Sequence, residues 1–317
     1  MQKFNRNYNL AIYPKKYLPN ASGGVALGNP LNSQVGQIFG ELINITYPLT
    51  IMFDIHQANI SATSFANLKI FNLNQITRNS IYKDWNLSNY IMPIKFDAGY
   101  GNDLTTIING SIIDACSYKL EGSTEIITEI NTWDGGEAMT LAYSAIQENS
   151  KILKSDLIKK LINNMTAYGV TLGKVSDYGD AAFPKFRSDA LAWKTLKQIA
   201  GDDLFIDNGK VYCLKAGDLT VADSFLINSE SGLLSVPKKG ENTLIVEMLF
   251  EPKIKINQQV TIESDVSRIY NNTYTVNGIR HTGIISDKVN GKCKTILTLN
   301  LSIAQSQQIA AQVLNNA

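Results

Sequence analysis

The chain has 317 residues, 44% of them hydrophobic, and a formal net charge of +1 from 29 basic and 28 acidic side chains. That length admits two or three domains with cores of their own, while the near-neutral balance excludes a global attraction to nucleic acid or anionic membrane and leaves only a local patch. No apolar run is long enough to cross a bilayer, MQKFNRNYNL lacks the apolar core of a secretory signal, and Cys116, Cys213 and Cys293 are odd in number and far apart, each in a predicted strand, which reads as buried thiols rather than a disulfide framework.

In chain order, Tyr8–Tyr13 alternates as a strand, and residues 20–36 form a Gly-, Asn- and Ser-rich loop with little apolar surface to bury, mobile or draped over a neighbour. In ITYPLTIMFDI, Ile45, Tyr47, Leu49, Ile51, Phe53 and Ile55 share one face. This predicts a single strand, with Pro48 marking an edge or a bulge. Ala66–Phe71 is a second strand, followed by a short helix capped by Asn74. Ile91–Ala98 and Thr105–Tyr118 flank the turn GYGND, and Glu125–Trp133 returns after Glu121–Gly122. Successive antiparallel strands with short turns predict a closed or nearly closed barrel, ended by Asp134–Gly135–Gly136.

The next stretch differs in kind. Glu137–Gln147 reads as a helix or as a strand entering a second barrel. Ser155 is the expected N-cap of a helix carrying Leu157, Ile158, Leu161, Ile162 and Met165. Ser188 plays the same part for a helix with Leu191, Ala192, Leu196 and Ile199, stopped by Gly201. In LFIDNGKVYCL, Asn208–Gly209 between apolar runs predicts a tight hairpin. From Ser229 to Leu301 the two-residue period resumes, with Leu244, Val246, Met248 and Phe250 on one face and Leu297, Leu299 and Leu301 closing the series. Residues 302–317, rich in Ala and Gln, predict a marginal helix ordered only against a partner.

Chemistry is hard to find. The two histidines, His56 and His281, have no GxSxG-type turn beside them; His56 should share a solvent face with Asp54, and His281 follows a β-bulge at Gly278. There is no HExxH, CxxC or DxDxDG pattern. Asp177 and Asp180 sit in a loop, and Asp189 belongs in a first helical turn. Gly201–Asp203 reads as a helix end, SGGVALG and DGGEA lack the Lys-Ser/Thr of a phosphate loop, and Lys238–Lys239 beside Gly240 is an exposed turn. Aromatics do not interleave with basic residues as a nucleic-acid platform would require. Glu121, Glu125, Asp134 and Glu137 are the acids nearest a glycosidase-like pair, and solvated turns account for them more simply. We therefore expect no catalytic residues, no cofactor and no metal. The alternatives are a peptidoglycan hydrolase, tested by zymography, and a β-sandwich that binds host glycans.

The order ITYPLTIMFDI, LKIFNLNQITR, DAGYGND and ITEINTWDGGEA resembles the N-terminal half of bacteriophage tail hub proteins. Phe53–Asp54, Ile70–Leu73 and Asp134–Gly135 stand at the family's motif positions, with Phe71 in place of the usual tyrosine. SGLLSVPKK, EMLFEPKIKINQQVTIES and YTVNGIRHTG resemble the second half, with Asn257–Gln258–Gln259 replacing a proline–glycine turn. The resemblance implies a baseplate hub similar to that of contractile-tailed, Mu-like phages: a homotrimer on the tail axis that matches a three-fold spike to a six-fold tube and surrounds the DNA channel. Its implied partners are further copies of itself, the spike, the tube or tube-initiator protein and the tape-measure protein, with no membrane in the assembled ring and a place in the virion tail. The expected fold is mainly β with an α+β insert, two tail-tube-like antiparallel β-barrels flanking a helix–helix–hairpin module. The expected divisions are 1–136 for the first barrel, 137–150 for a strand leading into the second, 151–230 for the insert, 231–301 for the second barrel and 302–317 for a tail.

Overall fold

A computed structural model describes residues 5–17, 37–59, 64–84, 90–287 and 291–302, with single positions at 305, 307 and 309. The predicted loop at 20–36 lies outside the described residues.

The N-terminal unit contains β1 (Arg6–Ile12), β2 (Lys15–Tyr17), β3 (Ile38–Phe39), β4 (Ile43–Thr46), β5 (Ile51–Ala58) and β6 (Phe65–Phe71). After these come α1 (Gln75–Ile81), β7 (Tyr90–Ile91), β8 (Pro93–Tyr100), β9 (Asp103–Lys119) and β10 (Ile126–Trp133). The strand expected over Ile45–Ile55 is in fact two. Pro48, which has no N–H to continue a ladder, follows a cis peptide bond, and a turn closed by Leu49 N–H on the Thr46 carbonyl (3.2 Å) separates β4 from β5. Tyr47 and Leu49 are consequently exposed, while Ile45, Ile51, Phe53 and Ile55 are buried. Asn74 caps α1 as predicted, its side chain accepting from Thr77 N–H at 2.8 Å. Cys116 departs from expectation: it lies on the solvent face of β9, whereas Cys213 and Cys293 are buried.

The insert begins earlier than expected. Residues 137–147 do not lead into a second barrel. They form α2 (Gly136–Leu141) and β11 (Tyr143–Glu148), and Ala138, Ala142 and Ile146 join the insert's own core. Next come β12 (Ile152–Leu153), α3 (Lys154–Asn163), β13 (Thr171–Val175), β14 (Ala182–Phe183), β15 (Phe186–Leu191), α4 (Ala192–Ala200), β16 (Leu204–Asp207) and β17 (Lys210–Cys213). β11 pairs antiparallel with β15, which holds those residues inside the insert. Neither predicted serine cap is used. Ser155 lies inside α3, and Ser188 lies in β15 with its hydroxyl 2.8 Å from that of Thr195. Both helices follow directly from extended chain, so their first N–H groups have no side-chain cap. Asp189 is likewise on β15, accepting from the Tyr143 hydroxyl at 2.8 Å, and not in a helical turn. Gly201, at φ +62°, terminates α4, and Asn208 and Gly209, at φ +52° and +73°, form the two-residue turn between β16 and β17.

The C-terminal unit comprises β18 (Phe225–Ile227), β19 (Lys238–Lys239), β20 (Thr243–Leu249), β21 (Gln259–Ile262), β22 (Asn272–Ile285) and β23 (Cys293–Asn300). Lys238–Lys239, read from sequence as a turn, is a two-residue edge strand beside β20. The two β units share a single antiparallel-rich sheet of 13 strands, in the order β19-β20-β23-β22-β5-β6-β10-β9-β8-β1-β4, with β21 on β22 and β18 on β21. The join is the β22–β5 ladder from Gly278↔Ala58 to Ile285↔Ile51. The predicted bulge is present as a register shift between Val276 and Gly278, and it divides β22 into a half that meets β21 and a half that meets β5. The ladder is an open path among the described residues and does not return to its first strand.

One face of this sheet covers two cores. The first centres on Tyr8, Phe53 and Phe96 and includes Phe250, Ile285 and Cys293 from the C-terminal unit. The second contains Leu244, Val246, Val260, Leu297 and Leu299, and receives Phe205 and Leu214 from the insert. Residues 305, 307 and 309 are helical, and Ile309 is buried in the second core, so this part of the tail packs on its own chain.

Candidate functional site

The candidates read from sequence do not converge. His281 is fully buried, with its Nδ1 2.9 Å from the Thr295 hydroxyl and its ring edge-on to Phe250 at 5.5 Å. Thr295 Oγ1 accepts from Glu251 N–H at 2.9 Å, and burial holds the imidazole far down, to about 3. His56 is on the opposite face, 3.2 Å from Asp54, whose carboxylate is held bidentately by Arg280 at 2.8 and 2.7 Å. That Arg280 grip holds Asp54 below the usual carboxylate range. Asp177 binds Gly179 N–H in its own loop, and Gly201–Asp203 forms a single 3₁₀ turn. Among the described residues no group of three or more His, Cys, Asp or Glu could hold a metal ion.

The four acids separate. Glu121 and Glu125 are solvated, as expected, but Asp134 and Glu137 are buried rather than turn residues in water. Glu137 accepts from the Ser111 hydroxyl and faces the ammonium of Lys83, itself buried and bonded to the Ile112 carbonyl. Burial raises the carboxyl and lowers the ammonium. Neither acid is open to a sugar chain.

Asp134 instead forms a junction between the units. Its Oδ1 accepts from Gly209 N–H at 2.8 Å, at the tip of the β16–β17 hairpin. The neighbouring Asp207 accepts from Gln57 Nε2 of β5 at 2.8 Å, and Asn109 of β9 donates to the Asn208 carbonyl at 3.3 Å. A Cβ on Gly209 would stand 2.8 Å from Asn109 Nδ2, so the tip is seated directly on β9. Burial, and for Asp134 also the charge of Asp207, raises both carboxyls. The C-terminal unit reaches the same place through Lys255, which donates to the Thr106 carbonyl at 3.1 Å. Of these residues the sequence marked Asp134 and the Asn-Gly turn. Gln57, Asp207 and Lys255 carried no local signal, because their partners are 150, 150 and 149 positions away.

Among the described residues, two exposed clefts lie toward the two ends of the sheet. At the β4 end, a cleft of about 400 Å³ is lined by Tyr13, Lys15, Phe39, Glu41, Ile43 and Ile76. Ile76 is 80% exposed. At the β19 end, a cleft of about 340 Å³ is lined by Leu234, Val236, Glu263, Asp265 and Val266, the last 84% exposed.

Residues 34–286 match the baseplate hub gp41 family. The chain belongs to that family. It is a structural hub protein of a bacteriophage tail baseplate. The tail protein from Neisseria meningitidis MC58 shares the fold of this hub, with a TM-score of 0.53 at 13% identity over 80% of this chain and 96% of that one. The 43 kDa tail protein of prophage MuSo2 from Shewanella oneidensis does so with a TM-score of 0.53 at 10% identity, over 84% and 95%. A third structure, the E. coli c3393 protein, is a type VI secretion component similar to the T4 tail proteins gp27 and gp5. It gives a TM-score of 0.53 at 8% identity, over 81% of the hub and 75% of its own chain. No curated protein sequence matches the chain.

Proposed function

We propose that the hub acts as a ring of three copies on the tail axis, each supplying two tube-like units from residues 1–136 and 231–301. The ring presents six such units to a six-fold tube and three-fold symmetry to the spike, and encloses the channel for DNA. The insert packs against both β units through its own small sheets. Spike, tube or tube-initiator and tape-measure proteins are its neighbours in the virion, with no membrane in the assembled ring.

The observation that carries this reading is one continuous sheet with two cores and two different apolar ends. Two different ends at opposite edges of one sheet suit a head-to-tail contact. Repeated head-to-tail contacts build a ring when the rotation per copy closes, and an open filament when it does not. The test is native mass spectrometry and electron microscopy of the purified hub with Ile76→Asp and Val266→Asp. We expect a closed trimer, and folded monomers from each variant. Trimers that survive both substitutions would exclude these edges, and tails containing one hub copy would exclude the ring.

A further inference from the structure

A cleft of about 380 Å³ opens where the three units meet, beside the Asp134–Gly209 junction. Three ammonium groups line it, one from each unit: Lys95 on β8, Lys210 on β17 and Lys255 in the loop before β21. Lys255 is half-buried and its nitrogen donates to one backbone carbonyl, that of Thr106, which carries no countercharge. An ammonium has three donors, so two remain for a ligand. Burial lowers the Lys255 ammonium, the nearby Asp207 carboxylate opposes that shift, and the charge of Lys210 adds to it, while Lys210 and Lys255 line one common space. Two acids stand near. Asp97 pairs with Lys95 at 3.0 Å, and Asp207 is occupied by Gln57 and held toward its protonated form by burial. Three lysines against these two acids leave the cleft with an excess of positive charge, and Tyr212 lines the same wall.

We propose that this cleft binds a phosphate group. Donors arriving from three separate elements suit a tetrahedral oxyanion, whose acceptors point in several directions, better than a planar carboxylate, and lysine binds phosphate as a point charge. The cleft is larger than one phosphate and admits a short phosphate chain or a nucleotide, or the edge of a DNA backbone. Bound there, the anion ties the insert hairpin to both β units.

The experiment titrates the full chain with inorganic phosphate, tripolyphosphate and a short duplex DNA at constant ionic strength. Binding is read by calorimetry and melting temperature, with chloride as the blank. Saturable binding is expected, about tenfold weaker in Lys210→Gln and in Lys255→Met, as the loss of one charge-assisted hydrogen bond implies, and unchanged in Lys239→Gln on β19. Binding of tripolyphosphate without duplex identifies a small phosphate ligand, and binding of duplex with the same variant pattern identifies the DNA backbone. No saturable binding of any probe overturns the site, as does binding unaffected by Lys210→Gln, an exposed position where misfolding does not confuse the result. The site does not depend on the ring, and the oligomeric state of the same samples reports on the ring separately.

Discussion

The two β units bury the same alternating face but fill it differently. The first is built round the rings of Tyr8, Phe53 and Phe96, with centroids 5.6–6.0 Å apart, whereas the second is centred on aliphatic side chains such as Leu244, Val246 and Leu297, with its aromatics Phe205 and Tyr274 supplied by the insert and by β22. Neither is closed by its own residues. Phe250, one position beyond β20, leaves the aliphatic unit and packs on Phe53 at 5.7 Å, while Phe205 leaves the insert to complete the aliphatic core. The lesson is that the two β units share a ladder and the insert shares side chains with them, so the hub should unfold as one body and present a rigid wall to its neighbours.

The strongest way to break this comparison is Phe250→Ala. It removes a fully buried ring shared by both units, and we expect a loss of about 3–5 kcal/mol in urea unfolding, still as a single transition. Two separated transitions would show that the units are independent.

Acid should separate the two units' behaviour. His281 in the C-terminal unit has a folded value of about 3 against an ordinary 6.5, so the unfolded chain binds more protons between those limits. Stability is therefore full above about pH 6.5 and falls by about 1.4 kcal/mol per pH unit below it, approaching 3 kcal/mol at about pH 4.5. His281→Leu should flatten that limb, and an unchanged acid limb would place the loss elsewhere. The junction carboxyls work in the opposite sense. Asp134 and Asp207 are raised on folding, so their contribution is present at low pH and declines as pH rises through their folded values.

Asp134→Ala orphans the buried Gly209 N–H and should cost about 1–3 kcal/mol, whereas Asp134→Asn keeps an acceptor and removes the repulsion from Asp207. Equal losses in the two variants would mean that charge, not the hydrogen bond, holds the hairpin. The smallest effect is expected at the join on the solvent face: Arg280→Ala breaks an exposed pair with Asp54 and should change stability by less than about 1 kcal/mol in the same assay.

Much of the local structure was legible because period and turn chemistry are local properties. Alternation placed the strands at Ala66–Phe71 and Leu244–Phe250, Asn74 announced its helix, and Asn208–Gly209 its hairpin, since each depends on neighbours within a few positions, whereas the strand expected over Ile91–Ala98 divides at Met92 between two sheets. The break at Pro48 and the unused caps at Ser155 and Ser188 were not legible. There the register of a partner strand, set far along the chain, overruled the local preference. Tertiary structure alone decided that β22 joins β5 and so makes one sheet of two units. It also decided that Asp134 and Glu137, polar turn residues by sequence, are enclosed, and that Lys95, Lys210 and Lys255 face one cleft. Burial and charge proximity between residues more than a hundred positions apart leave no trace in any local window, because they arise only when separate elements pack.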